Sequence, residues 1–507
     1  MKIARILFLI AVLALVALPT LAQDAPTGNV LVMARAVDAT GLDVHTQTAF
    51  ASFRLLELIY EPLVELDPQL NVIPGLAESW EFSDDGLTLT FHLRQGVKFH
   101  DGSDFTSADV VATFNRILDE ATGASARSNY TSIASIDAPD DFTVVFNLSQ
   151  PDVPLLAAMA TTNAGIAPSE LVESGDFAST AIGTGPFKLE SWTPDQTTVL
   201  SANTDWWGDG PNVDGIEIRI IPDETSILAA LRAGTIDFAQ LNDPLVATLL
   251  TDDANVQLER TPTLAYNVLQ LRAERTPLDK LEVRQAISCA IDRQEVLDSA
   301  ALGEGQVTGP VTSPAFALPN DELFCYTKDL DKARQLMEQA GLSEGFTLPM
   351  MAANAEPPTA LSEAQSIQSQ LADINITVEI EPLELGVYVD RWLAGDFDSA
   401  VALNSGFPDP FQTYVRYWME NSQFRNVAGY FDQTLNDLMA QGRAESDPDA
   451  RYQIFADLQR RLTEESPWIW LYTGYSYAAH QPNVTGYVGY PTGSLISLAQ
   501  VSIDRSA

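Results

Sequence analysis

Cysteine is almost missing from this chain: only Cys289 and Cys325 occur in 507 residues. Two cysteines exclude a disulfide-rich scaffold, in which several bridges stand in for a core. Histidine is nearly as scarce, with four copies, no HExxH motif and no tight His/Cys cluster. The sequence therefore carries no sign of a metal-centred enzyme, and no cofactor is expected. Basic residues are few as well. Twenty-eight Lys and Arg face 69 Asp and Glu, for a net charge of −41. That balance excludes nucleic acid as a partner, because the phosphate backbone would be repelled. The acids are spread along the chain rather than gathered in a tail, so they form a hydrated surface. A salt-rich habitat would screen their mutual repulsion. After the first few turns of sequence, no apolar run approaches the 18 or so residues that a membrane-crossing helix requires.

What is present begins with MKIARILFLIAVLALVALPTLAQDA. Lys2 and Arg5 precede an unbroken apolar run of 13 residues, Ile6 to Leu18. Thr20 and Ala22 put small side chains before a cleavage site after about Ala22. This is the pattern of a secretory signal peptide. No cysteine lies near the cleavage site, so a lipid anchor there is not expected. Its removal takes Lys2 and Arg5 and leaves a mature chain of −43 in the periplasm. Export permits a disulfide between Cys289 and Cys325; two isolated buried thiols are the alternative.

The remaining length is too great for one core, so two or more domains are expected. Helix and strand patterns alternate, with no repeat at a fixed period. NVLVMARAVDA reads as a buried strand ending near Asp38, and TQTAFASFRLLELIYEPLVEL begins as an amphipathic helix that breaks at Pro62. In LTLTFHLR, Leu87, Leu89, Phe91 and Leu93 alternate with polar residues, a half-buried strand entered through the turn DDG. TSADVVATFNRILDE starts a helix, with Thr106 or Ser107 as cap and Asp109 in the first turn. IGTGPFKLESW at 182–192 has a GxG but lacks the third glycine and the strand-to-helix setting of a nucleotide site. GIEIRIIPDETSILAALRAGTIDFAQL reads as a βαβ-like unit and LEVRQAISCAIDRQEVLDSAL as one amphipathic helix.

Four stretches together resemble one family: GLAESWEFSDDGLTLTFHLRQGVKFHDGSDFTSADVVATFNRI at 75–117, IGTGPFKLESW, VRQAISCAIDR at 283–293, and FPDP at 407–410. The resemblance is to the large solute-binding proteins of ABC importers, the group of oligopeptide, dipeptide and nickel receptors, and it spans nearly the whole mature chain. It implies an α/β, two-lobed periplasmic binding protein-like fold of class II type with an extra N-terminal subdomain. Lobe I would comprise 23–59, 186–270 and 480–507, the extra subdomain 60–185 and lobe II 271–479, after a signal peptide at 1–22. It also implies a monomer without enzymatic activity. Such a receptor would enclose a peptide-like or other small organic solute between its lobes and deliver it to permease subunits in the inner membrane. An oligosaccharide or opine-like solute is the alternative, and a secreted hydrolase is the alternative of another class. The family packing would bring Cys289 and Cys325 together.

The resemblance also places candidate ligand contacts. Asp38 ends the first strand. Tyr266 and Asn267 precede the expected crossover. Tyr388 and Trp392 share a helix face, and Asn404, Gly406, Phe407, Asp409, Arg416 and Trp418 lie in or near SGFPDPFQ at 405–412. In peptide-binding relatives an acid three positions before the aspartate of this loop pairs with the ligand's ammonium. Here that position is Gly406, which lacks the carboxylate and is expected to free space for a bulkier or less cationic solute. A buried ammonium needs a partner, so a free α-ammonium is not the expected main recognition group unless another acid supplies the charge. Asp409, between two prolines, can instead bond its own backbone and shape the turn. Arg416 could receive a ligand carboxylate with its planar fork, or form a surface ion pair.

Overall fold

Two long strands hold the molecule together. Gln257–Leu271 and Trp468–His480 run antiparallel, from the pair Gln257 and His480 at one end to Gln270 and Trp468 at the other. Their register breaks between Pro262 and Tyr266, where a proline has no N–H to give to a ladder. On one side of the break, Trp468–His480 also pairs with Phe238–Leu241 and leads into Val30–Arg35, Gly215–Ile220, Thr197–Ala202 and Phe187–Thr193. On the other side, Gln257–Leu271 pairs with Ser399–Asn404 and leads into Phe346–Ala353 and Ile376–Leu383. One ribbon thus joins two α/β lobes. This computed structural model describes residues 28–251, 253–354, 357–420, 422 and 424–506. The expected signal peptide lies outside the described residues, and among them no helix is long and apolar enough to cross a membrane.

Each lobe has its own apolar core. In the first, Leu31, Met33, Ile216 and Ile218 from parallel strands pack on Leu55 and Leu56. In the second, Val283 and Ile287 of helix Leu281–Ala290 meet Leu336, Ile367 and Leu348. A separate antiparallel sheet, ordered Ala77–Phe82, Thr88–Leu93, Thr143–Leu148, Ile133–Asp140, carries helix Ser107–Leu118. Leu89, Phe91 and Leu93 point into its core, while His92 is exposed. Thr106 caps that helix, and its own N–H donates to Asp109 at 2.9 Å, which closes the reciprocal cap.

Three elements differ from the sequence reading. The first strand ends at Arg35, short of Asp38, because Asp38 turns back to bond Arg35 and its own neighbours. The first helix spans only Phe50–Leu56. The helix expected across 281–301 is two, Leu281–Ala290 and Arg293–Ala301. Asp292 separates them by accepting from the N–H groups of Gln294 at 3.0 Å and Glu295 at 3.1 Å, an N-cap inside an otherwise continuous apolar period.

Candidate functional site

Two adjoining cavities lie where the lobes face each other. They share Phe50, Arg54, Ser405, Gly406 and Thr492 as walls. The first, about 180 Å³, is lined by the first helix and the strand after it, by 125–163, and by Phe407, Pro408 and Arg416 of the second lobe. The second, about 190 Å³, is lined largely by neutral groups, including Asn267, Thr359, Tyr472, Tyr475 and Tyr477. The chain reaches this place through SGFPDPFQ, which follows strand Ser399–Asn404 and is turned by its two prolines.

Most charges along these walls are matched. Arg54 donates to the Thr492 carbonyl and pairs with Glu57 at 3.4 Å. Glu57 also accepts from the Leu495 N–H at 2.6 Å, and burial raises its pKa. Glu61 accepts from Thr184 Oγ1 at 2.7 Å and from the indole N–H groups of Trp206 and Trp207 at 2.9 and 3.0 Å. Burial still pushes it up to about 7. That is the role of the adjacent tryptophans. In the second cavity Glu304 receives Arg260 at 2.9 Å and Tyr477, and Tyr472 and Thr359 both donate to Glu363 at 2.5 Å from behind the wall. Arg416 differs. Among the described residues it has no carboxylate partner, and its guanidinium lies 4.7 Å from the centre of the Phe424 ring.

A charged cleft between two α/β lobes is a device for enclosing a solute. Residues 71–426 match the bacterial extracellular solute-binding proteins, family 5 Middle. The chain belongs to this family. Among its relatives, the dipeptide-binding protein of Escherichia coli K12 is 28% identical over 86% of this chain and 87% of its own. The glutathione-binding protein GsiB of the same strain is 28% identical over 90% and 91%. Among solved structures, the periplasmic binding protein AgaA of A. tumefaciens R10, in complex with agropinic acid, superposes with a TM-score of 0.86 at 29% identity, over 94% of this chain and 99% of that one. The Helicobacter pylori protein DppA in complex with the peptide STSA gives 0.84 at 28%, over 94% and 98%. This family 5 protein is thus a solute receptor of the ABC-importer type, and the relatives are binding proteins rather than enzymes.

Of the residues singled out in the sequence, four line the cavities: Asn267 the second, Phe407 and Arg416 the first, and Gly406 both. The Asn267 side-chain oxygen is buried without a partner. The other seven line neither cavity. Asp38 is buried and fully engaged, receiving Arg35 at 3.1 Å, the Ala39 N–H, the Trp192 indole at 3.0 Å and the Asp195 N–H. Asp409 caps helix Pro410–Tyr414 and pairs with Arg451 at 2.7 Å. Tyr388 donates to the Val401 carbonyl at 2.7 Å, and the Trp392 indole donates to Gln270 at 2.7 Å. Tyr266 and Trp418 are core, Trp418 meeting Trp468 at 4.9 Å. Asn404 is buried beside Tyr266 on the paired strand. Arg54, Glu57, Glu61 and Glu65 reach the cleft without any sequence signal of doing so.

Gly406 does not leave space, contrary to the sequence reading. A Cβ there would stand 1.9 Å from the Leu264 carbonyl oxygen and 2.4 Å from Thr312 Oγ1, which itself donates to that oxygen at 2.7 Å. No acid can be carried at this position without moving the strand. Gly406→Ala is therefore expected to destabilise the protein by about 1–3 kcal/mol through overpacking. A denaturant midpoint unchanged from the wild type would contradict this.

Proposed function

We propose that this receptor takes a small peptide-like or opine-like solute through its carboxylate, with Arg416 as the anchor. The observation that carries the reading is a guanidinium on the wall of an interlobe cavity with no carboxylate of its own. Closure removes it from water, and a buried cation left unpaired is costly. A ligand carboxylate satisfies it with a planar, two-pronged bond. The second cavity favours what the rest of the solute can be. Its tyrosines and the unpartnered Asn267 oxygen suit hydroxyl or amide groups, so an acid with a polyhydroxy portion fits as well as a short peptide. The protein works as a periplasmic monomer released by cleavage after about Ala22, binds its solute unchanged, and opens at the register break near Pro262 to pass it to the permease.

Calorimetry with glutathione, the dipeptide Met-Leu and agropinic acid tests this. The wild type is expected to bind at least one of them. Arg416→Gln is expected to weaken that binding by about 30-fold or more, in the range of truncating one partner of a buried charge pair. Equal affinity in both proteins would overturn the assignment, and recovery of a hydrolysed ligand would favour a hydrolase.

A further inference from the structure

The geometry points to Glu65 as the residue that selects solutes carrying a cationic group, from the wall opposite Arg416. The inference rests on the carboxylate reading above and adds the other end of the ligand.

Glu65 lies in the short strand Val64–Leu66, opposite Ile73 of Val72–Pro74. Alternation along that strand sets it apart from its buried neighbour Val64. Gly75 gives it room, since a Cβ there would come within 3.2 Å of Glu65 Cγ. The side chain is half-buried and lines the first cavity. The other two carboxylates on this wall are already engaged, Glu57 by Arg54 and the Leu495 N–H, Glu61 by Thr184 and two indoles. Glu65 has no hydrogen bond or ion pair among the described residues. Arg94, the cation whose field acts on it, donates to the Gly75 carbonyl at 3.1 Å and stacks over Trp207 at 4.0 Å.

The cavity therefore holds one unmatched acid on the first lobe and one unmatched guanidinium on the second, and the two do not pair with each other. Closing on an empty or neutral content would desolvate the guanidinium unpaired and leave the Glu65 carboxyl without a hydrogen-bond partner. A solute with an ammonium or guanidinium at one end and a carboxylate at the other satisfies both and draws the lobes together. Glu65 has the character this requires. Burial and the neighbouring Glu61, against the attraction of Arg94, push its carboxyl up to about 8. It stands neutral until a cation enters, then ionises and releases a proton. The charged and titratable groups facing it are Glu61, Arg94 and Tyr490. The acid that the loop at 406 cannot carry for steric reasons is supplied from the facing wall.

The test uses the full mature protein, Glu65→Gln and Arg416→Gln, with folding checked by circular dichroism. The probes are Met-Leu, glutathione, and both compounds N-acetylated. In the wild type, acetylation is expected to cost tenfold or more. Glu65→Gln should bind free and acetylated forms alike, at the weaker level. Arg416→Gln should weaken both forms together. Binding of the free forms by the wild type should also tighten from pH 6 to 7, below the range in which the probe's own ammonium loses its proton, with a smaller rise in Glu65→Gln. If carboxylates bind but acetylation makes no difference, or if Glu65→Gln keeps the preference, the Glu65 assignment falls and the Arg416 reading stands. If no carboxylate-bearing probe binds the wild type, the reading beneath it falls as well.

Discussion

Replacing Arg443 by methionine is expected to open the molecule. Arg443 closes helix Gln433–Ala444 of the second lobe. Its Nη2 donates to Asp152 Oδ2 at 2.5 Å, and its carbonyl accepts from the Val153 N–H at 3.0 Å. Asp152 follows the separate antiparallel sheet, on the far side of the cleft, and also accepts from Ser132 at 2.5 Å. Both side chains are buried, 5% and 0% exposed, so this pair survives only while the lobes meet. The loop SGFPDPFQ holds it in place. Asp409 fixes Arg451, whose Nε donates to the Gly442 carbonyl at 2.8 Å, and the Phe411 ring lies 5.0 Å from the Arg443 guanidinium. Removing the guanidinium leaves Asp152 desolvated and without its cation. Breaking a buried pair from one side costs about 3–5 kcal/mol. Parting the lobes rehydrates Asp152 and relieves that cost, so the loss falls on closure. With Met-Leu or glutathione at saturation, small-angle scattering should show a larger radius of gyration for Arg443→Met than for the wild type. A superimposable profile together with a lowered unfolding midpoint would place the cost in folding instead. Removing both charges, in Asp152→Leu/Arg443→Met, should cost much less than the single change.

Losing the disulfide is expected to be as severe, in a different way. Cys289, on helix Leu281–Ala290, is bonded to Cys325 across 36 residues. The bridge staples the loop before helix Leu330–Gln339 onto the core of the second lobe. Arg293 reinforces it by donating to the Cys325 carbonyl at 2.9 Å and lying 4.1 Å over Tyr326. By the loop-entropy relation a bridge of this span contributes about 4 kcal/mol, chiefly by restricting the unfolded chain. Cys289→Ala/Cys325→Ala should lower the denaturant midpoint of the second lobe accordingly, and reductant should do the same to the wild type. Alkylation of exported protein without reductant should label no thiol. Two labelled thiols, or a midpoint indifferent to reductant, would contradict the prediction.

Local patterns were readable in the sequence, and partners distant in sequence were not. Leu89, Phe91 and Leu93 announced a half-buried strand, and Thr106 with Asp109 announced a helix start, because each signal is contained within a few residues. The block around them also carried the family. Asp38 looked available for a ligand because two of its four partners, Trp192 and Asp195, stand more than 150 positions away. For the same reason the aromatic run from Phe411 to Trp418 gives no sign in the sequence of whether it packs or meets a ligand. Its packing partners Trp468 and Trp470 arrive on the returning strand. The missing acid at Gly406 is legible in the sequence, but the lack of free space is not, since the Leu264 carbonyl that fills it belongs to the crossing ribbon. Glu65 gave no signal at all. In a chain with 69 acids, only the fold shows which carboxylate is left without a partner at the cleft.

Native mass spectrometry of the exported protein, purified without refolding, tests the central claim most directly. The account predicts a single small carboxylate-bearing adduct per chain, released unchanged on denaturation and lost from Arg416→Gln. An adduct retained equally by Arg416→Gln, or one without a carboxylate, would contradict it.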